Sequence, residues 1–528
     1  MRLLRSHLNT FLTLAVATIF IAPASLSAST DSAAAKSTKN VKAAGGAPTA
    51  RHKKKHRSAP APAPIAYLTP TSAVALTSDI TALLGNAKRG GHWGVMVISL
   101  SRGDTLFSLN ADSSLQPASN MKLFTSALAL DQFGPGHQFR TEVLRTGDVG
   151  PDGTLHGDLV LRGDGDPALS PRFVDGGPNA PMERLAQLVA EAGIKKVSGH
   201  LVADASAFDP QRIPEGWKRR YLSAAYAAPV SALSLNENVL QVVVRPGGPN
   251  GKAVVELEPA SDYPLTVSVK TVEGRGSHVS AWTTKGGAIE VHGWIGTRAG
   301  ERRYELVAGD PTAFTASAFR RALIDRGIML NGPTTFATTP AHGVRVGDLP
   351  SPTLGTMLSV MNRESINHFA ELIFRDAARN AAPDSIGSAE SGNALLQRFL
   401  VGKVGVDSNA VVAADGSGLS TIDRVTPRSL VQLLAFSHRT QWSDAFHASL
   451  PVAGETELLA RRMRATPAQG NLHAKTGTTN TVISLGGYVT AQDGELLAFA
   501  FIYNGWDRYT AKATIDAMGA TLASFVRE

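Results

Sequence analysis

The sequence predicts a mixed α/β protein with more than one domain. A chain of 528 residues is too long for a single hydrophobic core. Helix and strand patterns alternate at the start of the body, and short strands punctuated by Gly and Pro dominate from about residue 160 to 345. Helices return after residue 350, and the chain ends with three strands and a helix. This order indicates an α/β protein with one or two small β-rich domains in its middle.

The N-terminal 28 residues predict a secretory signal. Arg2 and Arg5 precede an apolar run, Phe11–Ala22, which small residues follow as cleavage sites. An uncleaved N-terminal anchor is the alternative, and the shortness of the apolar run argues against it. The chain contains no Cys, which excludes lipoprotein attachment and disulfides. We therefore expect an exported protein of the periplasm or cell envelope.

Residues 29–66 predict a disordered linker, because they are rich in Ala, Ser, Lys and Pro and lack hydrophobic periodicity. Residues 1–66 hold ten Lys/Arg and one acid, whereas the remainder holds 42 basic and 43 acidic residues. The neutral body argues against a nucleic-acid enzyme. Two interpretations stay open for the basic tail: weak electrostatic contact with anionic envelope polymers or lipids, and a solvated spacer.

Residues 67–160 predict the first part of the main domain. A helix over 78–84 is followed by strands over 92–100 and 104–109, and a second helix begins after Pro117 and ends at Gly134. The first strand has apolar residues at both its odd-numbered and its even-numbered positions, so we expect it to be buried on both faces.

Residues 161–345 predict the β-rich inserts, and residues 346–528 predict the second part of the main domain. The first strand expected here is at 159–161, and the others are at 201–204, 239–244, 254–257, 265–272, 289–295 and 304–307. Helices are expected at 182–192 and 313–326. In the second part we expect helices at 353–361, 365–378, 388–400 and 427–437, strands at 471–475, 482–490 and 495–503, and a last helix at 510–526.

The segment Ser119-Asn120-Met121-Lys122 places a Ser-x-x-Lys motif at the start of a predicted helix. Residues three apart on a helix share a face, so the hydroxyl and the amine can act as nucleophile and base. Lys122 must then be neutral, which requires burial or a neighbouring cation such as Lys475. A helix N-cap is the alternative role for Ser119, and the motif alone favours that alternative.

The segment Ser365-Ile366-Asn367 is predicted to begin a helix. Its hydroxyl could pass a proton to a leaving amine, and the Asn367 amide could hold a substrate carbonyl or orient Lys122. An N-cap followed by a polar helix face is the alternative.

The segment Lys475-Thr476-Gly477-Thr478 lies at the end of a predicted strand. Gly477 would let a substrate approach the strand edge, and Lys475 with a threonine hydroxyl would bind a terminal carboxylate. The backbone N–H of Thr478 would form an oxyanion hole with that of Ser119. A strand running into a turn is the alternative.

These three motifs, in this order, resemble those of penicillin-binding proteins and serine β-lactamases. Ser365 follows Ser119 by 246 positions, and Lys475 follows Ser365 by 110. The long first gap is similar to that of the class C low-molecular-mass penicillin-binding proteins, the D-alanyl-D-alanine carboxypeptidase/endopeptidase family, in which inserts interrupt the catalytic domain. The resemblance covers about residues 70–526, and further stretches that fit are 163–167, 229–238, 414–420 and 450–454.

The resemblance implies an antiparallel sheet between helices, built from residues 67–160 and 346–528 and interrupted by the inserts. It implies a Ser119 acyl-enzyme that cleaves the stem peptides of peptidoglycan and is inhibited by β-lactam antibiotics. It implies no cofactor, and the 14 His residues include no His-Glu-x-x-His motif, so no metal is expected. Ile366 stands where Asp is common in the superfamily, which makes the substrate fit less certain than the activity.

Two other functions stay open. A β-lactamase would share the fold, but the long insert and the absence of an evident deacylating Glu motif argue against it. A non-catalytic wall-binding protein would also share the fold, but it would have no use for the Ser/Lys pair.

Overall fold

A computed structural model describes residues 65–85, 90–249, 251–382 and 385–528. The predicted signal segment 1–28 and the linker 29–66, up to residue 64, lie outside the described residues. Within the described ranges, no helix combines the length and apolarity that crossing a membrane requires.

The described residues form helices and strands that are numbered separately in chain order. The α-helices are α1 Ala73–Gly85, α2 Met121–Phe133, α3 Ala180–Glu191, α4 Pro311–Asp325, α5 Leu354–Glu364, α6 Asn367–Ala381, α7 Ala389–Phe399, α8 Pro427–His438, α9 Ser443–Ala448 and α10 Arg508–Ala523. The strands are β1 Gly91–Ser99, β2 Thr105–Leu109, β3 Arg140–Arg145, β4 Thr154–Leu155, β5 Leu159–Gly163, β6 Lys196–Val197, β7 Leu201–Asp204, β8 Val239–Arg245, β9 Val254–Glu258, β10 Leu265–Val272, β11 Ser277–Thr283, β12 Ile289–Gly296, β13 Arg302–Val307, β14 Met329–Leu330, β15 Thr334–Phe336, β16 Val344–Pro350, β17 Val411–Val412, β18 Arg424–Val425, β19 His473–Thr478, β20 Val482–Thr490 and β21 Leu496–Gly505.

The main sheet joins strands from both ends of the body in the order β19-β20-β21-β1-β2. Every neighbouring pair in it is antiparallel. Both faces are covered, because alternate residues of β21 belong to different hydrophobic clusters: Phe499 and Phe501 pack with α1 and α10, whereas Ala498 and Ala500 pack with α2 and α8. The expected antiparallel sheet between helices is therefore confirmed, as is the two-sided burial of the first strand.

The middle of the chain builds four further sheets. Their orders are β15-β7-β5-β3-β16, β14-β6-β4, β13-β8-β9 and β10-β12-β11, and a two-stranded β17-β18 pair lies later in the chain. A separate hydrophobic cluster joins α3 and α4 to several of these strands. The β-rich middle and its two helices follow the predicted pattern, but the boundaries at 161 and 345 stay predictions. Because β3 pairs with β5 and β16, the strand pairing favours a boundary near residue 140.

Nine of the described strands are absent from the sequence-based prediction, and the longest of these are β3, β11 and β16. Strand β3 has three charged residues among its six, and those of β11 are half-buried or exposed, so neither carries a long apolar run. Strand β16 pairs with β3 across about 200 positions of sequence. Such pairing depends on the tertiary fold, which a local pattern does not reveal.

Candidate active site

Ser119 lies in a short 3₁₀ helix, Ala118–Asn120, immediately before α2. The residue is partly exposed, whereas Lys122 in the first turn of α2 is fully buried. Neither the 3₁₀ helix nor α2 has a side-chain cap, and their N-cap positions are Pro117 and Asn120. The N-cap interpretation of Ser119 is therefore wrong, and its hydroxyl is free for another role.

The Lys122 amine contacts three oxygen atoms. Its Nζ lies 3.2 Å from Ser119 Oγ, 2.6 Å from Asn367 Oδ1 and 2.8 Å from the Ser417 carbonyl. The Asn367 amide is oriented by its Nδ2, which donates to the Tyr226 carbonyl at 2.8 Å. A neutral amine has two N–H donors and one lone pair. When the two carbonyl oxygens accept both N–H groups, the lone pair is left for the Ser119 hydroxyl.

Burial favours the neutral form of Lys122. Removal from water lowers its pKa from 10.5 to about 8, against the opposing charges of Asp415, Glu371 and Asp423. The sequence pointed to Lys475 as a cation that would lower this pKa. Lys475 is itself fully buried, and burial together with Lys122 lowers its own pKa well below the ordinary value. Desolvation, rather than the charge of Lys475, is therefore the main cause at Lys122.

Glu371 is a second unusual group beside Lys122. Its side chain is fully buried in α6, and burial followed by the Asp415 charge raises its pKa to about 8. Its Oε1 accepts a hydrogen bond from the Gly416 N–H at 3.1 Å. Burial therefore weakens the negative charge that Glu371 presents to the amine at neutral pH.

Ser365 lies between two helices and does not begin one, which corrects the predicted helix over 365–378. It follows the last residue of α5 in a left-handed conformation, φ +62°, and α6 begins at Asn367. The break serves both side chains: Ser365 Oγ accepts from Lys475 Nζ at 2.9 Å, while Asn367 contacts Lys122. Lys475 Nζ also donates to the Thr476 carbonyl at 3.0 Å.

Gly477 has a packing role that the sequence did not indicate. A Cβ at this position would lie 2.1 Å from Ser484 Oγ and 2.7 Å from the Pro117 carbonyl. The absent side chain therefore lets β19 pack against β20 and the 3₁₀ helix that carries Ser119. Packing is therefore one physical reason for glycine here, and substrate approach along the strand edge stays a prediction. Thr478, the next residue, is exposed at the end of the edge strand.

The loop at residues 414–420 supplies a carbonyl that contacts Lys122, a role that the sequence did not indicate. Asp415 Oδ1 accepts from the N–H groups of Ser417 and Gly418 at 2.9 and 2.6 Å. Asp415 Oδ2 accepts from Trp217 Nε1 at 2.7 Å. These bonds fix the loop so that the Ser417 carbonyl reaches Lys122. The resemblance includes residues 414–420, but the sequence does not indicate that their loop contacts Lys122.

Two cavities meet at Ser119, Ser365 and Thr478. The first, of about 320 Å³, also touches Tyr226 and Asn367. The second, of about 280 Å³, extends along Thr476 on the other side. The structure thus brings together Ser119, Lys122, Ser365, Asn367, Lys475, Thr476 and Thr478, with Gly477 packed behind them.

Size alone does not select this site. A cavity of about 770 Å³ lies elsewhere, between Arg162, Asp164 and Arg379, and the described residues lining it include no Ser/Lys pair. Across the described ranges, no group of three or more His, Asp or Glu side chains is arranged to hold a metal ion.

Comparison with known proteins gives a consistent match over nearly the whole body. The model of the D-Ala-D-Ala carboxypeptidase 3 (S13) family matches residues 76–525. The chain is 33% identical over 469 residues to a D-alanyl-D-alanine carboxypeptidase of Actinomadura sp., covering 85% of each chain. It is 24% identical to the D-alanyl-D-alanine carboxypeptidase DacB of Haemophilus influenzae, covering 84% of this chain and 91% of that one.

The fold is similar to a solved structure. The crystal structure of penicillin binding protein 4 (dacB) from Haemophilus influenzae superposes with a TM-score of 0.70 at 24% identity. The match covers 84% of this chain and 98% of that chain.

Proposed function

The chain belongs to the D-Ala-D-Ala carboxypeptidase 3 (S13) family, and we propose that Ser119 is the nucleophile of its reaction. The protein is a serine-type D-Ala-D-Ala carboxypeptidase/endopeptidase that acts on the stem peptides of peptidoglycan. Because β-lactams imitate the D-Ala-D-Ala end, they are expected to acylate the same hydroxyl.

In the proposed acylation, Lys122 is the base. Its lone pair takes the Ser119 proton as Oγ attacks the carbonyl carbon of the penultimate D-alanine. Asn367 and the Ser417 carbonyl keep the amine oriented by accepting its two N–H groups. The negative oxygen that forms is stabilised by the backbone N–H groups of Ser119 and Thr478.

The amine that leaves needs a proton, which Ser365 supplies. Its hydroxyl is next to the Ser119 site and accepts from Lys475 Nζ, so it can donate to the departing nitrogen and be reprotonated from Lys475. Release of free D-alanine is carboxypeptidase action, and release of a cross-linked residue's amine is endopeptidase action. Lys122 then passes the proton that it took from Ser119 to the deprotonated Lys475 or to solvent. Water attacks the ester carbonyl with Lys122 again as the base, and the proton that Lys122 takes from the water moves to Ser119 Oγ as the ester bond breaks.

The single observation that carries this proposal is the set of three contacts at Lys122 Nζ. Two carbonyl oxygens and one hydroxyl suit the three N–H groups of the charged amine. When the amine loses one proton, the carbonyl oxygens can keep both remaining N–H groups, which leaves the lone pair for the Ser119 hydroxyl. The pKa of about 8 makes roughly one amine in ten neutral at pH 7.

Labelling with a fluorescent penicillin tests the nucleophile. Ser119→Ala should abolish labelling and the release of D-alanine from a pentapeptide, whereas wild type and the exposed-serine control Ser408→Ala should retain both. Circular dichroism would confirm that each variant is folded. Labelling that survives in Ser119→Ala would overturn the nucleophile. D-alanine release that persists after labelling is lost would overturn the mechanism.

The cellular setting is part of the same proposal. The protein would work in the periplasm or cell envelope, where peptidoglycan lies, and the basic cluster within 36–57 would hold anionic wall polymers or lipid headgroups. Deleting residues 36–57 should release the protein from an envelope fraction at lower salt. Unchanged, salt-insensitive retention after the deletion would contradict this contact.

A further inference from the structure

Lys475, which the sequence suggested as the partner of the substrate carboxylate, is poorly placed for that role. Its side chain is fully buried, and Nζ already donates to Ser365 Oγ and the Thr476 carbonyl. Burial and the neighbouring Lys122 also hold its pKa well below the ordinary value. A carboxylate is bound most strongly by a charged donor, so another cation is needed near this site.

The second cavity offers such a cation. Besides Ser119 and Ser365, the side chains that line it are Glu364, Leu458, Arg462, Thr476, Thr478 and Lys512. Lys512 lies in α10, and Thr476 and Thr478 lie in the edge strand β19. The cavity therefore combines threonine hydroxyls with charged side chains next to the reactive serine.

Most charges around this cavity are already paired. Arg462 donates from Nε and Nη2 to Asp516 Oδ1 at 2.7 and 2.5 Å, and both side chains are buried. The Glu364 carboxylate accepts from Arg172 Nη1 at 2.7 and 2.9 Å. Lys512 is different, because its ion pair with Asp516 Oδ2 is longer, at 3.6 Å, and shares a carboxylate that already binds Arg462. The Lys512 side chain is also 49% exposed. Among the described residues that line the cavity, its charge is the least compensated.

The first cavity has a separate cation. Arg508 lines that cavity, and its Nη1 donates to the Thr479 carbonyl at 3.1 Å. The acyl group and the leaving residue must extend from Ser119 in different directions. The free α-carboxylate belongs to the leaving residue, and a compartment with threonine hydroxyls and an available ammonium group suits it.

We propose that Lys512 attracts and orients the α-carboxylate of the leaving residue in the cavity that it shares with Thr476 and Thr478. This assignment rests on the proposed peptidase function, and it makes Lys512 a specificity residue for peptides with a free C-terminal carboxylate. Because the ammonium group is half exposed, salt should weaken its effect.

The test compares a penicillin with its methyl ester, which lacks the carboxylate charge that corresponds to that of the leaving residue. Second-order rates of acylation are measured for wild type, Lys512→Ala, Lys512→Arg and the control Lys403→Ala. Lys403 is an exposed lysine that pairs with Asp131 at 2.8 Å and lines neither cavity. Lys512→Ala should slow acylation by the free acid roughly 10-fold and leave the ester rate unchanged. Lys512→Arg should recover most of the loss, and Lys403→Ala should match wild type.

Two results would overturn the assignment: equal losses on the acid and the ester, or no loss on either, in a folded Lys512→Ala protein. With a pentapeptide, the same variant should raise KM for D-alanine release while kcat changes little. The test of Lys512 and the test of the peptidase function can fail independently of each other. If wild type were acylated by penicillin but released no D-alanine, the peptidase function would fall, while the acid–ester comparison would still decide the role of Lys512.

Discussion

The rate of Ser119 acylation should rise with pH because its proposed base, Lys122, is a buried lysine. Burial lowers the pKa of Lys122 from 10.5 to about 8. At pH 7 the neutral fraction is then roughly 10%, against roughly 0.03% for a lysine in water. The fold therefore supplies about 300 times more of the reactive form at neutral pH.

The expected profile follows directly from these fractions. Between pH 6 and 7 the second-order rate of penicillin acylation should rise roughly 10-fold, reach half its maximum near pH 8 and level off above pH 9. The assay is labelling by a fluorescent penicillin during short incubations from pH 6 to 10. The exposed-serine variant Ser408→Ala should trace the same curve as wild type.

Unfolding is not expected to distort this profile through Lys122. The folded-state pKa of this lysine lies below its unfolded value, so the unfolded chain binds more protons between pH 8 and 10.5. Its contribution to stability therefore increases with pH across that window, by about 3 kcal/mol in total.

A flat acylation profile between pH 6 and 9, or a midpoint near 10.5, would refute Lys122 as the neutral base.

Two substitutions test the surroundings of this base. Asn367→Asp would place a carboxylate where Oδ1 now lies 2.6 Å from Lys122 Nζ, so the midpoint of the acylation profile should move up by about 2 pH units or more. An unchanged midpoint would contradict the contact. Asn409→Asp, in an exposed turn, is the control for the added charge. Gly477→Ala should lower the free energy of unfolding by about 1–3 kcal/mol in chemical denaturation, because its Cβ would lie 2.1 Å from Ser484 Oγ. A Gly477→Ala protein as stable as wild type would show that β19 is free to move away.

Local patterns predicted much of the secondary structure. The predicted strands over 201–204, 265–272 and 482–490 have the same bounds as β7, β10 and β20. Their apolar pattern involves only residues that are close along the chain, so it can be recognised from the sequence alone. Strands β3 and β16 escaped detection because their stability depends on pairing with each other across the chain.

Part of the candidate site could likewise be predicted from the sequence, and part of it depends on the tertiary structure. The residues of the three motifs and their order could be found in the sequence, and so could the proposed nucleophile and base. The left-handed Ser365, the packing role of Gly477 and the Ser417 carbonyl could not, because each depends on how separate segments meet. The Asp415 and Trp217 pair that fixes the Ser417 loop joins positions 198 apart.

The sequence alone determined the chemical groups and the family pattern: Ser119 and Lys122 one turn apart, with a serine, an asparagine and a second lysine in the expected order. Only the tertiary structure decided the pKa values of the two lysines and which groups each of them contacts. Lys122 contacts acceptors 245 and 295 positions away, and its burial among them lowers its pKa. Lys475 is buried as well, which argues against its binding a carboxylate and favours the half-exposed Lys512 for that proposed role. Desolvation depends on how the whole fold surrounds a charge.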